Sequence, residues 1–307
     1  MTPRDPKSRS QIVGERSFFD SACRDSWMPT FPSTSPRRKV AGTWEQTDLL
    51  KTIKLLRDRV QDWETYPFSV PTIRNLDQLT LRSRVCLFAG ENGTGKSTLL
   101  EAIASHYGFG REGGSRNFSN DSTDSNHSID PLVQALRLSF DKRTGAGFFL
   151  RAESFFNTVS HMDDLDKEPG GGPPISASYG GRSLHTRSHG EAFLTLLELK
   201  FRRNGLFLLD EPEAALSPQR QLAFLVLIYD VLRTRKDAQF IISSHSPVLL
   251  GYPDAQIVSF DGERLHDVRY EDTTSMQVVQ RFMNDRERFL QELFREAPSL
   301  FEKKEGE

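Results

Sequence analysis

Residues 90–98 read GENGTGKST, and this stretch limits the possible folds more than any other part of the 307-residue chain. It meets the pattern G-x-x-x-x-G-K-[ST], with the short apolar run 84–89 before it and apolar residues at helical spacing over 97–106. Glycines let successive backbone N–H groups turn inward toward phosphate oxygens, and the start of a helix adds a positive end. The order strand, glycine-rich turn, helix therefore predicts a nucleotide-binding P-loop.

Within this loop, Lys96 is expected to neutralise the β- and γ-phosphates of ATP, and the Ser97 hydroxyl to coordinate Mg²⁺. A loop that has lost nucleotide binding is the alternative interpretation. The predicted contacts to ATP are Gly90, Glu91, Asn92, Gly93, Thr94, Gly95, Lys96, Ser97 and Thr98.

A second candidate site follows the apolar run 206–209, where Asp210 and Glu211 are adjacent. Parallel α/β folds place ligands at the carboxyl ends of their strands. Asp210 is expected to hold Mg²⁺, directly or through water, and Glu211 to act as the general base toward the attacking water. Two acids at this point are also compatible with a simple helix N-terminus.

Two further segments carry candidate residues. The sequence SSHSP follows the apolar run 239–242 and places His245 at a predicted strand end, where it could reach a γ-phosphate. The sequence SHGE precedes an apolar helix, and Ser188, Gly190 and Glu191 suit both an ordinary helix start and an anion site.

In this order, GENGTGKST, SHGE, LFLLDEPEAALS and SSHSP resemble the motifs of the ATP-binding-cassette (ABC) ATPases over 49–261. The resemblance implies that Glu211 is the catalytic base, that His245 senses the γ-phosphate and that 214–217 form the D-loop. It also implies a head-to-tail homodimer, in which the P-loop of one protomer faces Ser188 and Gly190 of the other.

The sequence departs from the transporter pattern, with SHGE in place of LSGGQ and Ser217 in place of the usual Asp. It is closer to the soluble branch, which includes chromosome-maintenance and DNA-repair ATPases and many bacterial ATPases. The stretch 98–187 shows no sustained heptads, so no coiled-coil arm is expected.

Other assignments follow from position alone. Glu153 is a candidate for the Mg²⁺-contacting residue of the family's Q-loop, against an ordinary surface acid. Tyr66 is a candidate for stacking on adenine, with Arg57 or Arg59 as alternatives.

The predicted fold is an α/β P-loop NTPase of the ABC type, with a mostly parallel central sheet, an antiparallel β part and a helical signature subdomain. Segments 132–140 and 147–152 are expected to form paired strands, 53–60 a strand, and 256–268 a hairpin. The expected organisation is a flexible extension over 1–45, an ATPase domain over 46–270 and C-terminal helices over 271–307.

Composition limits the choice of partners. The net charge of −2 shows no overall basic excess, so the composition does not support nucleic-acid binding. The sequence leaves undecided whether the partner is a nucleic acid or a protein. No apolar run is long enough to span a bilayer, and two distant cysteines favour a reducing cytoplasm.

The leading hypothesis is thus a cytoplasmic, Mg²⁺-dependent ATPase that dimerises on ATP, with DNA repair or defence as candidate processes. The alternatives are the nucleotide-binding subunit of a transporter and an ATP-gated binding module.

Overall fold

The structure, a computed structural model, describes residues 50–110, 114–115, 118–119, 127–141, 146–153, 155 and 189–296. The extension expected over 1–45 and the candidate residue Ser188 lie outside this part of the chain.

Eight of the described strands form one mixed sheet with the order β11-β10-β3-β9-β8-β7-β4-β5. The five strands from β10 to β7 run parallel, and the strands at the two edges are antiparallel to their neighbours. Every residue of β3, β8 and β9 is buried, as expected for parallel strands covered on both faces. This confirms the mostly parallel sheet. The strands are β3 Val85–Ala89, β4 Gly114–Ser115, β5 Phe118–Ser119, β7 Gly147–Arg151, β8 Gly205–Asp210, β9 Ala238–Ser244, β10 Gln256–Ser259 and β11 His266–Asp267.

A second, antiparallel sheet of three strands has the order β2-β1-β6. Its strands are β1 Leu50–Leu55, β2 Gln78–Thr80 and β6 Leu136–Phe140. The strand expected over 53–60 begins earlier, at Leu50. It also ends earlier, at Leu55, because a 3₁₀ turn occupies Arg57–Arg59. The hairpin expected over 256–268 is confirmed by the antiparallel pair of β10 and β11.

The expected pairing of 132–140 with 147–152 is wrong. Residues Asp130–Ala135 form a helix, whose second residue is a proline that suits a first helical turn. Strand β6 then pairs with β1, and β7 pairs in parallel with β8. The run of three buried apolar residues in β7 is typical of an inner parallel strand, which two-residue alternation in a hairpin would not provide.

Helices α2 (Lys96–Tyr107) and α5 (Pro218–Thr234) contact strands of the large sheet, and a hydrophobic core forms between α2, the antiparallel sheet and the large sheet. No described helix combines the length and apolar character needed to cross a bilayer. The helices are α1 Pro71–Arg74, α2 Lys96–Tyr107, α3 Asp130–Ala135, α4 His189–Lys200, α5 Pro218–Thr234, α6 Pro247–Leu250, α7 Thr274–Asn284 and α8 Arg286–Glu296.

The strand register brings the sequence motifs to one edge of the large sheet. Arg151 lies opposite Asp210, and Asp210 lies opposite Ser243. Ala89, the last residue before the P-loop, lies opposite Ser244. Because these strands are parallel, all of them end at the same edge, and the loops that follow them meet there.

Candidate nucleotide-binding site

The P-loop connects β3 to α2 and depends on glycine at its last turn. Gly95 precedes the helix with φ +98°, a conformation that side chains rarely adopt. A Cβ atom at Gly95 would lie 2.9 Å from Thr72 Oγ1 and 2.9 Å from Val70 Cγ1. The Thr72 hydroxyl also donates a hydrogen bond to the carbonyl of Thr94. The segment around α1 therefore presses on the loop and leaves room for glycine alone.

Lys96 lies beneath the loop, with only 3% of its surface exposed. Its ammonium group donates to the carbonyls of Gly90 and Glu91, each at 2.7 Å. Loop carbonyls thus hold the positive charge on the concave side of the loop, where the sequence places the phosphates.

The P-loop and the end of β8 are joined by a hydrogen bond of 2.9 Å from Ser97 Oγ to Asp210 Oδ1. The Ser243 hydroxyl donates to the same carboxylate oxygen. Mg²⁺ takes few protein ligands when it is bound with a nucleotide, since phosphates and water complete its shell. A hydroxyl beside a carboxylate fits that requirement.

Arg151, the last residue of β7, contacts the other oxygen of Asp210, and sequence reasoning missed it. Its Nε lies 3.0 Å from Asp210 Oδ2, and its terminal nitrogen lies 3.0 Å from Glu101 Oε2. Glu153, the candidate metal ligand, lies exposed in the turn after β7. The signal available in the sequence was a cation directly at the end of a buried apolar strand.

Glu211 follows Asp210 with φ +48° and ψ +53°, one of two described non-glycine residues with positive φ. Such a conformation costs energy and is concentrated at functional sites. Burial raises the pKa of the Glu211 carboxyl, as does the neighbouring Asp210 charge, while His245 and Lys96 lower it by smaller amounts. A carboxyl whose pKa is moved toward neutrality is suited to act as a general base.

His245 follows β9, and its ring is half exposed. The ring Nδ1 lies 3.3 Å from Oε1 of Glu213, which is itself only 6% exposed. His245 also lines a small pocket with Gly90 and Glu91 of the P-loop. The structure thus brings His245 beside the P-loop, as the sequence predicted, and adds Glu213 as its neighbour.

The segment SHGE leads into α4, and its residues Gly190 and Glu191 lie in the first turn of that helix. A Cβ atom at Gly190 would lie 2.6 Å from Cδ of Arg220 and 3.2 Å from the carbonyl of Ala215. Glu191 forms an ion pair with Arg220 at 3.1 Å. The start of α4 is therefore packed on the segment that follows Glu211, so the two motifs are mechanically connected within one protomer.

The adenine candidate Tyr66 contacts the end of the P-loop at Thr98. The Tyr66 hydroxyl is 3.1 Å from Thr98 Oγ1, and the residue is 47% exposed, so its ring lies beside the start of α2. Arg57 pairs with Asp77 and stacks on Trp63, and Arg59 donates to a carbonyl of α3. Stacking on adenine stays a prediction for all three.

Asp261, which sequence reasoning also missed, anchors the P-loop from β10. Its Oδ1 accepts from the backbone N–H of Glu91 at 2.9 Å, and its Oδ2 accepts from Thr274 Oγ1 at 2.8 Å. The beginning of α7 is thereby tied to the nucleotide loop. An acid two residues after a short predicted strand was the only signal of this role in the sequence.

Comparison with protein families gives two matches. Residues 190–251 match a model described as "AAA domain, putative AbiEii toxin, Type IV TA system", and residues 67–178 match a model described as "AAA domain". Together the matched ranges contain the P-loop, Glu153, Asp210, Glu211 and His245. A search of curated proteins gave no match.

The matches among solved structures include three at low identity. A chain assigned to a metal-chelate type ABC transporter in an inward-facing conformation is 14% identical with a TM-score of 0.46, over 76% of this chain and 88% of that one. The SMC head domain from Thermotoga maritima is 16% identical with a TM-score of 0.40, over 72% and 98%. The cbiO1 protein from Clostridium perfringens, part of the ABC transporter complex cbiONQ, is 16% identical with a TM-score of 0.42, over 81% and 99%.

Proposed function

We propose that the chain, which matches AAA-domain models over residues 67–178 and 190–251, is an ATPase of the ABC type that binds ATP with Mg²⁺ and hydrolyses the ATP between two copies of itself. The observation that carries this proposal is the contact of Ser97 with Asp210, followed directly by Glu211. Phosphate-binding loop, metal-binding pair and general base thus meet at one sheet edge. A cytoplasmic location, where ATP is available, is part of the proposal.

In the proposed reaction Glu211 accepts a proton from the water that attacks the γ-phosphate. Burial and the charge of Asp210 raise the pKa of Glu211, which makes the carboxylate a stronger base than an ordinary Glu, while His245 and Lys96 lower this pKa by smaller amounts. Lys96 stabilises negative charge on the transferred group, and His245 donates to it. Mg²⁺, held by Ser97 and Asp210, would neutralise charge on the β- and γ-phosphates.

The dimer supplies what a single protomer lacks in this scheme, an anion-binding helix start on the far side of ATP. Gly190 lies in the first turn of α4, packed against Arg220, and in the proposed dimer the N–H groups of this turn would face the partner's phosphate. A head-to-tail pair with two-fold symmetry would place each such helix start over the partner's P-loop. ATP then shifts the monomer–dimer equilibrium because it binds the paired state more tightly.

The test uses Glu211→Gln, which keeps the shape of the side chain and removes the base. We expect ATP hydrolysis to fall by roughly 10²-fold or more, while ATP with Mg²⁺ converts the variant from monomer to dimer in light scattering. Glu263→Gln, the same change at an exposed position outside the site, serves as the control.

Two results would contradict the proposal. Near-wild-type hydrolysis by Glu211→Gln would remove Glu211 from the role of base, and a variant that binds ATP but stays monomeric would exclude the ATP-bridged dimer. Wild-type protein that binds ATP without hydrolysing it would favour an ATP-gated binding module, and activity that requires a membrane protein would favour a transporter subunit.

A further inference from the structure

Glu213 carries a buried carboxylate outside the proposed catalytic groups. It lies in the 3₁₀ turn Pro212–Ala215, two residues after Glu211. Its Oε1 accepts from Ser244 Oγ at 2.7 Å, from the backbone N–H of His245 at 2.7 Å and from that of Ser246 at 3.3 Å. The turn after β8 is thereby tied to the turn after β9 through a single oxygen atom.

The second oxygen of Glu213 has no hydrogen-bond partner among the described residues, although it is buried. A buried anionic oxygen without a donor is costly, and a neighbouring positive group is the usual compensation. The imidazole of His245 lies beside the other oxygen of this carboxylate, with Nδ1 at 3.3 Å from Oε1. The Nδ1 edge of the His245 ring thus faces the Glu213 carboxylate.

We propose that Glu213 is a positioning residue for His245, which fixes the imidazole with Nδ1–H toward Glu213 and Nε2 toward the nucleotide. The inference rests on the proposed function, in which His245 donates to the γ-phosphate. A ring between two anions satisfies both only when each nitrogen carries a proton. Glu213 thus selects the protonation and the orientation that let Nε2 donate to phosphate.

This arrangement also explains why a carboxylate is found where a neutral acceptor would serve the backbone. A Gln at 213 could accept from Ser244 and from the two N–H groups. It would not offer the charge-assisted hydrogen bond, which is roughly twice as strong as a neutral one. A purely structural role for Glu213 therefore predicts that Gln is tolerated, and a positioning role predicts that it is not.

The first experiment measures the protonation of His245 directly and does not depend on activity. Protein with ¹⁵N-labelled histidine rings is observed by NMR, and His245→Ala identifies the resonances of His245 among the seven histidines. We expect Nδ1 to carry a proton in the wild type, and we expect that occupancy to fall in Glu213→Gln. An unprotonated Nδ1 in the wild type, or identical ring signals in both proteins, would overturn the proposal.

The second experiment is a double-mutant cycle on ATP hydrolysis. We expect Glu213→Gln to lower kcat by roughly 10- to 100-fold with KM nearly unchanged, and to cause no further loss in a His245→Ala background. An equal loss in both backgrounds would mean that Glu213 acts without His245. Glu263→Gln is again the control, and thermal unfolding shows whether each variant is folded.

The two experiments separate the inference from the proposed function. If the wild type hydrolyses no ATP, the proposed function fails, and the NMR result still decides whether Glu213 positions His245. If Glu213→Gln does not fold, the protonation of Nδ1 in the wild type decides it alone.

Discussion

At the scale of single residues, Glu211 has a backbone conformation and a carboxyl environment that both lower the stability of the folded protein. The residue combines a positive φ with a carboxyl whose ionised form is disfavoured, first by burial and then by Asp210. Both features work against folding, and both suit a base that must take a proton. Glu211 thus lowers folding stability while it favours the proposed reaction, and the loss of stability can be measured by substitution.

We predict that Glu211→Gln stabilises the nucleotide-free protein at pH 7 to 8. The pKa of Glu211 is raised in the folded state, so between the unfolded pKa and the folded pKa the unfolded chain binds fewer protons. Stability contributed by this group therefore falls as pH rises through that window. The gain from Gln should shrink to zero below about pH 4, where Glu is protonated in both states.

Thermal unfolding at several pH values, without Mg²⁺, measures this effect, with Glu263→Gln as the control. A difference between Glu211→Gln and wild type that does not change with pH would contradict the prediction.

Arg151 is a second residue whose contribution to folding stability can be tested by substitution. It is 26% exposed and links Asp210, 4% exposed, to Glu101, 18% exposed. Removing one member of a largely buried ion pair leaves an uncompensated charge, which typically costs 3–5 kcal/mol. The guanidinium fork is needed to reach both carboxylates at once.

We predict that Arg151→Ala lowers the free energy of unfolding by about 3 kcal/mol, measured by urea denaturation at constant m-value. Adding Glu101→Gln to this variant should recover part of the loss, because one unpaired charge is removed. Arg137→Ala, at an exposed position of β6, should change stability by less than about 0.5 kcal/mol. Equal effects of the two Arg substitutions would show that the ion pairs do not matter.

At the scale of elements, the P-loop is a conformation enforced by its neighbours. Gly95 has φ +98° and lies against Val70 and Thr72, whereas Gly262 has φ +99° and open space around the position of a Cβ. The two glycines therefore have the same strained backbone conformation, but only Gly95 has close neighbours at the position of a Cβ atom. This pair separates the cost of strain from the cost of contact.

We predict that Gly95→Ala destabilises the protein more than Gly262→Ala and abolishes ATP binding, while Gly262→Ala retains it. An alanine at positive φ should lower the free energy of unfolding by about 1–3 kcal/mol in each variant. Any further decrease in the Gly95→Ala variant measures the clash of the new Cβ with Val70 and Thr72. Urea denaturation and titration with a fluorescent ATP analogue measure the two effects. Similar losses in both variants would contradict the packing argument.

Elements also show where local patterns mislead. Residues 132–135 continue a helix instead of starting a strand, and β6 leaves the large sheet altogether. A short apolar run has no period of its own that separates helix from strand. The choice depends on the partner, and here β1 offers an edge to β6 while β8 offers one to β7.

At the scale of the whole molecule, the proposed dimer makes a prediction that no monomeric ATPase shares. Lys96→Ala disables the P-loop of a protomer, and Glu191→Trp, at an exposed position in the first turn of α4, blocks the start of that helix. In a mixed head-to-tail dimer one site would contain both defects and the other would contain neither.

We predict that each variant alone is inactive and that an equal mixture regains activity, to about a quarter of the wild type if the two sites act independently and pair at random. Steady-state hydrolysis of ATP measures this recovery. A mixture of Lys96→Ala with Glu211→Gln is the control, because each protomer then carries a defect beside its own P-loop and no complete site forms. An inactive mixture of the two folded variants would contradict the head-to-tail arrangement.

The sequence by itself determined the nucleotide loop, the acids after β8 and the histidine after β9, because each belongs to a local pattern of strand, turn and polar residue. It also determined the mostly parallel sheet, since continuous apolar runs require burial on both faces. The pairing of β6 with β1, the fork of Arg151 and the anchor at Asp261 were decided by the tertiary structure alone. Each joins residues that are distant in the chain, and only the register of neighbouring strands brings such side chains within hydrogen-bonding distance.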